Sequence, residues 1–300
     1  MHKSSLLFGL KAIFLERFKP LSYGPMIILF TTMNGLYFAQ SQNVSSNLQG
    51  AIVALFIMFC AFFRLRLFDE IKDYHVDLKI NPQRPLARGI ISIDQVRLSI
   101  LFLIVTELTL AYWVNPFGFL IHALAVGYSL LMFEEFFIGR WLRSHLTTYA
   151  ITHTFVSVFY ALSAAVLWTQ SKSIELTNID ILYFVSNWFY FNLFEFSRKT
   201  YATEEERPGV ETYSSLFGAQ KAAALSFSQA LLAAIYYLYF LRQPLQTLSV
   251  AIFLIYTLLA VLYGFYNRPH FAKLFRAASG LYLLLQYLIL TLFYGGIYAS

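Results

Sequence analysis

Charge and cysteine are what this sequence has least of. Only 13% of its 300 residues are Asp, Glu, Lys or Arg, against about 25% in soluble domains. Hydrophobic residues make up 58%, aromatics 19%, and the mean hydropathy is +0.59. This excludes an ordinary soluble globular protein and indicates an all-α membrane protein that crosses the bilayer several times. A single cysteine, Cys60, lies inside an apolar run, which rules out an intramolecular disulfide and any cysteine-built metal site. The first 20 residues interrupt their apolar character with Lys11, Glu16, Arg17 and Lys19 and lack a small-residue cleavage site. A cleavable signal is therefore not expected, and residues 1–20 read as an interfacial amphipathic helix on membrane lipid. The net charge of +6 belongs to loops facing an anionic inner leaflet, so no nucleic-acid partner is expected.

Apolar stretches of about 20 residues, enough to span a ~30 Å hydrocarbon core, number nine. They run Leu21 to Ala39, Leu48 to Phe68, Ile93 to Val114, Pro116 to Phe133, Thr147 to Trp168, Ile179 to Phe196, Ala222 to Leu241, Leu245 to Phe265 and Ala277 to Tyr298. With a cytoplasmic N-terminus, every Lys and Arg except Lys172 and Arg242 falls on the inner side. Adding or losing one span would scatter that asymmetry, so the count and the orientation support each other. The expectation is one domain over residues 1–300, in the cell membrane.

Two inner loops, 69–92 and 198–221, are both acidic and basic. Each places Arg-Pro after an acidic helix end, Arg84-Pro85 in one and Arg207-Pro208 in the other. The helices entering them run in the same direction, which hints at a parallel internal repeat.

In the first loop, Asp69, Glu70, Asp73 and Asp77 fall at about 0°, 100°, 40° and 80° around a helix, all in one quadrant. Like charges at i,i+4 destabilise a helix, and carboxylates beside lipid carry a further desolvation cost. A cation is therefore expected among them. Oxygen donors without Cys or paired His suit a hard ion such as Mg²⁺, which shares its shell with waters and substrate phosphates. Arg64, Arg66, Lys72, Arg84 and Arg88 surround the acids, and arginine grips phosphate oxygens well. Acids and bases at one mouth thus point to a metal-bridged di- or triphosphate. The alternative is a solvated helix end with internal salt bridges.

At the end of the sixth span, Glu195 has Arg198 and Lys199 three and four residues on, an intrahelical pair or a second metal ligand. Glu204, Glu205 and Glu206 follow, then the turn Arg207-Pro208-Gly209.

On these residues the chain resembles the UbiA superfamily of intramembrane prenyltransferases. Its first motif, N-D-x-x-D-x-x-x-D, is similar to "DEIKDYHVD": Asp73 and Asp77 match, Asp69 replaces Asn and Glu70 replaces Asp. The family's R-P-[LI]-x-x-G-x-I-[ST] matches "RPLARGIIS" throughout. The resemblance implies nine helices, active-site loops at 69–92 and 198–221, and two Mg²⁺ ions on an isoprenyl diphosphate. It implies transfer of the prenyl group to a lipophilic or aromatic acceptor, with Asp73 and Asp77 catalytic. Asp69, Glu70, Asp73, Asp77, Glu195 and Glu205 would be metal ligands; Arg66, Lys72, Arg84, Arg88, Arg198, Lys199 and Arg207 would bind diphosphate. The second motif departs from the family pattern: its aspartates are missing, and Glu195 and Glu205 are the acids nearest their places. Where members that take aromatic acids often carry Lys-Arg, this chain has Glu134-Glu135, an arrangement that repels a carboxylate.

Three other readings stand beside this one: a transporter using carboxylates for ion coupling, a CDP-alcohol phosphotransferase, whose D-G-x-x-A-R signature is absent, and a pseudoenzyme that binds prenyl diphosphate without turnover. Glu107, deep in the third span, is expected to be hydrogen-bonded to another span or close to the outer interface. His145 and His153 read as structural or interfacial, and Asn34 and Asn192 as interhelical hydrogen-bonding groups or diphosphate contacts.

Overall fold

A computed structural model describes residues 5–296. Among the described residues the chain is helical with no strand. In order it forms α1 (Leu6–Ile13), α2 (Pro20–Ser41), α3 (Leu48–Lys72), α4 (Tyr74–Ile80), α5 (Ile93–Val114), α6 (Pro116–Phe133), α7 (Gly139–Arg143), α8 (Leu146–Thr154), α9 (Val156–Thr169), α10 (Asn178–Arg198), α11 (Tyr213–Phe217), α12 (Ala219–Phe240), α13 (Leu245–Tyr266) and α14 (Pro269–Tyr294). The long segments fall where the nine spans were expected, with α8 and α9 together forming the fifth. Seven of them are long and apolar enough on their own to cross a membrane. The other two, α2 and α10, are diluted by polar residues: α10 carries Asp180, Asn187, Asn192 and Glu195.

Local chemistry sets the ends. Asn47 caps α3 by accepting from Gly50 N–H at 2.9 Å, and Ser92 with Gln95 forms a capping box on α5. Asn115 closes α5 and opens α6, accepting from Phe117 N–H at 3.1 Å with Pro116 in the first helical turn. The last span starts earlier than the apolar run at Ala277: Pro269 begins α14, so Lys273 and Arg276 sit on the helix rather than in a loop. The expected end at Tyr298 lies outside the described residues.

The chain divides into two compact units. One comprises residues up to Phe137 with Leu162–Ile174; the other comprises Ile138–Ala161 with Glu175 onward. In the first unit α3 packs against α2 and α5, and α5 against α6. Leu6, Leu10 and Ile13 of α1 pack on Leu86, Ile91 and Val96, which seats the N-terminal helix over the 69–92 loop. In the second unit α10 packs on α12 and α14, with α13 between those two. Its interior is rich in tyrosine: Tyr183, Tyr190, Tyr237, Tyr256, Tyr263, Tyr282 and Tyr287 are all buried. The face that α5 leaves open carries Leu98, Leu101, Phe102, Val105 and Trp113, a surface suited to lipid rather than water.

Candidate functional site

The first charged cluster lies in the first unit, where α3 passes into α4. The helix is interrupted for one residue at Asp73, whose N–H still bonds Asp69 C=O at 2.9 Å, while Asp77 N–H bonds Asp73 C=O at 2.8 Å. Glu70 is buried at 1% exposure, and its Oε1 accepts from Arg17 Nε at 2.6 Å and Arg66 Nη2 at 3.0 Å. Its Oε2 is buried and has no hydrogen-bond partner among the described residues. Arg66 Nη1 also donates to Asp69 Oδ2 at 3.2 Å. Asp77 accepts from Arg84 Nη1 at 2.5 and 2.6 Å, and Arg84 also stands 3.8 Å from Asp73. Lys72 Nζ lies 3.4 Å from Glu135 Oε1, so Glu135, read from the sequence as half of an acidic pair that repels a carboxylate, is a buried partner of the cluster. Asp73 is half exposed at 53%. Partial burial, and then the neighbouring Asp69 and Asp77 carboxylates, hold its carboxyl above the ordinary range.

The "RPLARG" stretch closes over this cluster as a compact turn. Arg88 N–H bonds Arg84 C=O at 2.9 Å and Ile90 N–H bonds Pro85 C=O at 3.1 Å. Gly89 carries φ +76°, a left-handed conformation open to glycine at no steric cost. Arg88 is fixed from both sides, donating to Gln83 C=O at 2.9 Å and pairing with Glu16 at 2.5 Å. Glu16 and Arg17 belong to a single π-helical turn, Phe14–Phe18, after α1. That turn is wedged against Phe59 and Phe63. Sequence reasoning assigned both residues to an interfacial helix and missed their place in the cluster.

The second cluster, in the second unit, begins at the end of α10. Glu195 pairs within its own helix, 2.5 Å from Arg198 and 3.0 Å from Lys199. Glu205 is gripped by both terminal nitrogens of Arg276 at 2.8 and 3.0 Å, and that hydrogen bonding holds its carboxyl below the ordinary range. The same guanidinium donates to Thr200 C=O at 2.9 Å and lies 4.5 Å over the Tyr201 ring. Glu204 pairs with Arg268 at 3.0 Å. Glu206 accepts from Thr212 Oγ1 at 2.7 Å and Ser214 Oγ at 2.6 Å. Tyr213, beside them, has a buried hydroxyl without a partner among the described residues, and burial pushes its ionisation up. Arg207 is exposed. Arg276 also escaped the sequence reading; the signal that could have found it is Pro269, a helix-opening residue that places Arg276 two turns into α14.

Among the described residues, no group of three or more His, Cys, Asp or Glu side chains lies close enough together to hold a metal ion. The donors present nevertheless fit a hard cation: all are carboxylate oxygens, Asp73 is crowded by like charge, and buried Glu70 Oε2 lacks a donor. The remaining predicted residues are structural in their contacts. Asn192 donates to Gln229 at 3.1 Å and accepts from Thr154. Asn34 donates to Phe30 C=O at 2.7 Å, and His145 and His153 contact Trp141 C=O and Tyr149 C=O on their own segments.

Several solved structures share this architecture, among them these three. One, from work on a digeranylgeranylglyceryl phosphate synthase, has a TM-score of 0.67 at 12% identity, covering 96% of this chain and 98% of its own. A UbiA homologue from Aeropyrum pernix K1 has a TM-score of 0.66 at 15% identity, covering 88% and 95%. A UbiA homologue from Archaeoglobus fulgidus, bound to GPP and Mg²⁺, has a TM-score of 0.58 at 16% identity, covering 89% and 96%. No curated protein matches the chain. The likeness to the solved structures establishes the fold, and the sequence itself matches the UbiA prenyltransferase family over residues 28–297; this all-helical membrane protein belongs to that family.

Proposed function

We propose that the protein transfers an isoprenyl group from a prenyl diphosphate to a lipophilic or aromatic acceptor in the cell membrane, releasing diphosphate and depending on Mg²⁺. The observation that carries this reading is the first cluster, where carboxylates and arginines interleave at the end of a membrane helix and buried Glu70 Oε2 stands without a donor among the described residues. Asp69, Glu70, Asp73 and Asp77 are the ligands we assign to the metal, with Asp73 and Asp77 essential to turnover. Mg²⁺ held there supplies Lewis-acid stabilisation of the leaving diphosphate. Arg66 and Arg84, which now pair with Asp69, Glu70 and Asp77, would be released to diphosphate oxygens where those acids hold the metal; Lys72 and Arg88, paired with Glu135 and Glu16, are the further cations we assign to the diphosphate. For Arg66 and Arg84 one partner would replace another, so those charges are not left bare in a low-dielectric site.

The allylic carbon–oxygen bond breaks with the electron pair leaving on diphosphate. The acceptor then forms the new bond to that carbon and loses a proton. The surrounding apolar helices keep water from the allylic cation. In the second cluster we assign Glu195 and Glu205 to metal and Arg198, Lys199 and Arg207 to phosphate oxygens; Arg198 and Lys199 now pair with Glu195 and Glu205 with Arg276. Supporting this reading are the family membership, the matched "RPLARG" turn, and the GPP and Mg²⁺ held by the Archaeoglobus fulgidus homologue.

The test is incubation of purified protein with Mg²⁺, labelled prenyl diphosphates of several lengths and a panel of lipid and aromatic acceptors. Prenylated product and released diphosphate are expected in wild type and absent from Asp73→Ala and Asp77→Ala. Full activity in both variants would overturn the assignment, and binding without diphosphate release would identify a pseudoenzyme.

A further inference from the structure

Within the membrane part of the first unit lies a polar network that prenyl transfer, as derived above, does not use. Arg64, Glu107, His122, Ser129 and Ser163 have no exposed surface at all. Arg64 Nε and Nη2 donate to the two Glu107 oxygens at 3.0 and 2.9 Å, and Nη1 donates to Ser129 Oγ at 2.6 Å. Ser129 gives its proton to Val126 C=O at 2.7 Å. His122 places Nε2 3.2 Å from Glu107 Oε2 and Nδ1 2.9 Å from Ser163 Oγ. The Glu107 carboxylate accepts only, so His122 Nε2–H donates to it, while Nδ1 and Ser163 Oγ share the second hydrogen bond. The network joins α3, α5, α6 and α9.

Stability does not account for it. Burying a guanidinium and a carboxylate costs several kcal/mol per ion, roughly repaid by their attraction, and apolar side chains of similar volume usually serve the fold as well or better. What an ion pair with a bidentate fork adds is direction: it admits one rotation of its helix. On α3, at ~100° per residue, Asp69, Asp73 and Glu70 stand about 140°, 180° and 240° from Arg64. The fork therefore faces α5 and α6 from the side of α3 opposite the carboxylates. Arg64 also stacks on Phe68, its guanidinium 5.5 Å from the ring centroid, and Phe68 in turn stacks on Phe133 of α6 at 4.6 Å.

We infer that the Arg64–Glu107 pair, seated by His122 and Ser129, is a positioning lock that sets the rotation of α3 and thereby the orientation of the first acidic cluster. Arg64 and Glu107 are positioning residues, since they act through Asp69, Glu70 and Asp73. The inference rests on the reading of that cluster as a metal–diphosphate site.

The test measures Mn²⁺ binding to the purified full-length protein in inorganic diphosphate by electron paramagnetic resonance, beside its melting temperature. In a triple variant, Arg64→Met with Glu107→Leu and His122→Leu, the melting temperature is expected to stay at or above that of wild type. Mn²⁺ affinity is expected to fall about 10–100-fold, the range seen when groups that orient metal ligands are removed. Arg64→Lys, which keeps the charge and loses the fork, should recover part of that loss. Wild-type affinity in the triple variant overturns the lock. If that variant does not fold, Glu107→Gln takes its place: weakened Mn²⁺ binding supports the lock, and unchanged binding overturns it. Wild-type protein that fails to bind Mn²⁺ with diphosphate sinks the metal-site reading, and the lock with it; binding that the variants leave unweakened sinks the lock alone.

Discussion

The two charged clusters have the same ingredients and different degrees of completion. In the second, Glu195 is paired within its own helix, Glu205 is held by a bidentate Arg276, and Glu206 by two hydroxyls. In the first, Glu70 has one oxygen doubly engaged and the other unpartnered among the described residues, and Asp73 is half exposed and crowded by Asp69 and Asp77. Buried polar atoms are nearly always satisfied in folded proteins, so the unpartnered oxygen beside a crowded acid is what supports the proposed cation site there. The second cluster resembles a structural clasp that also carries charge. Substitutions can separate these two roles. The largest effect is expected at the first cluster: Asp77→Ala should reduce turnover to background. Glu205→Gln, which keeps volume, can still accept from Arg276 and still offers a neutral carbonyl oxygen to a metal, should leave measurable turnover. Equal losses in the two would erase the distinction.

Arg276→Met probes the clasp itself. It leaves the mostly buried Glu205 without its fork, and removal of one partner from a buried pair costs about 3–5 kcal/mol. With both side chains partly open to solvent, roughly 1–3 kcal/mol is expected, read by thermal unfolding in detergent. The sign of its pH dependence is set. A carboxyl held below the usual ~4.3 stabilises the fold above that pH and loses the contribution as pH falls through its lowered folded value. Wild type and Arg276→Met should therefore differ most above pH ~4.3 and converge in acid. A smaller effect is expected at Arg17, which holds Glu70 Oε1 at 2.6 Å and would compete with a metal bound there. Arg17→Ala should lower the half-saturating Mg²⁺ concentration by about 2–5-fold, the equivalent of a partly exposed ion pair.

How much of this was legible in the sequence follows from the range of each interaction. The ends of α5 and α6 coincide with the apolar runs because capping by Ser92 and Asn115 is local. The carboxylates of the first cluster could be found from spacing along one helix. Their partners could not: Arg17 is 53 residues from Glu70, Glu16 is 72 from Arg88, and Arg276 is 71 from Glu205. The same holds inside the membrane. Glu107 was expected to bond another span or lie near the outer interface, and Arg64 was grouped with the phosphate-binding cations. They bind each other across 43 residues. A helical pattern shows which face a residue occupies and is silent on which distant side chain meets it.

The finest test of the contrast concerns Asp73 alone, because stability and function pull on it in opposite directions. Its raised carboxyl means that ionisation is disfavoured in the fold: the protein is relatively stabilised below the unfolded value of ~3.9 and loses that advantage as pH rises through the folded value. At neutral pH the charged form faces Asp69 and Asp77, each at i,i+4, a repulsion of about 0.2–0.5 kcal/mol per pair. Asp73→Asn should therefore be slightly more stable than wild type at pH 7, and the gap should close below pH ~4. The same variant should have lost turnover. A loss of both stability and turnover would mean that Asp73 is a structural cap of the α3–α4 junction. A gain in stability with loss of turnover is what a site held under like-charge strain for a metal must show.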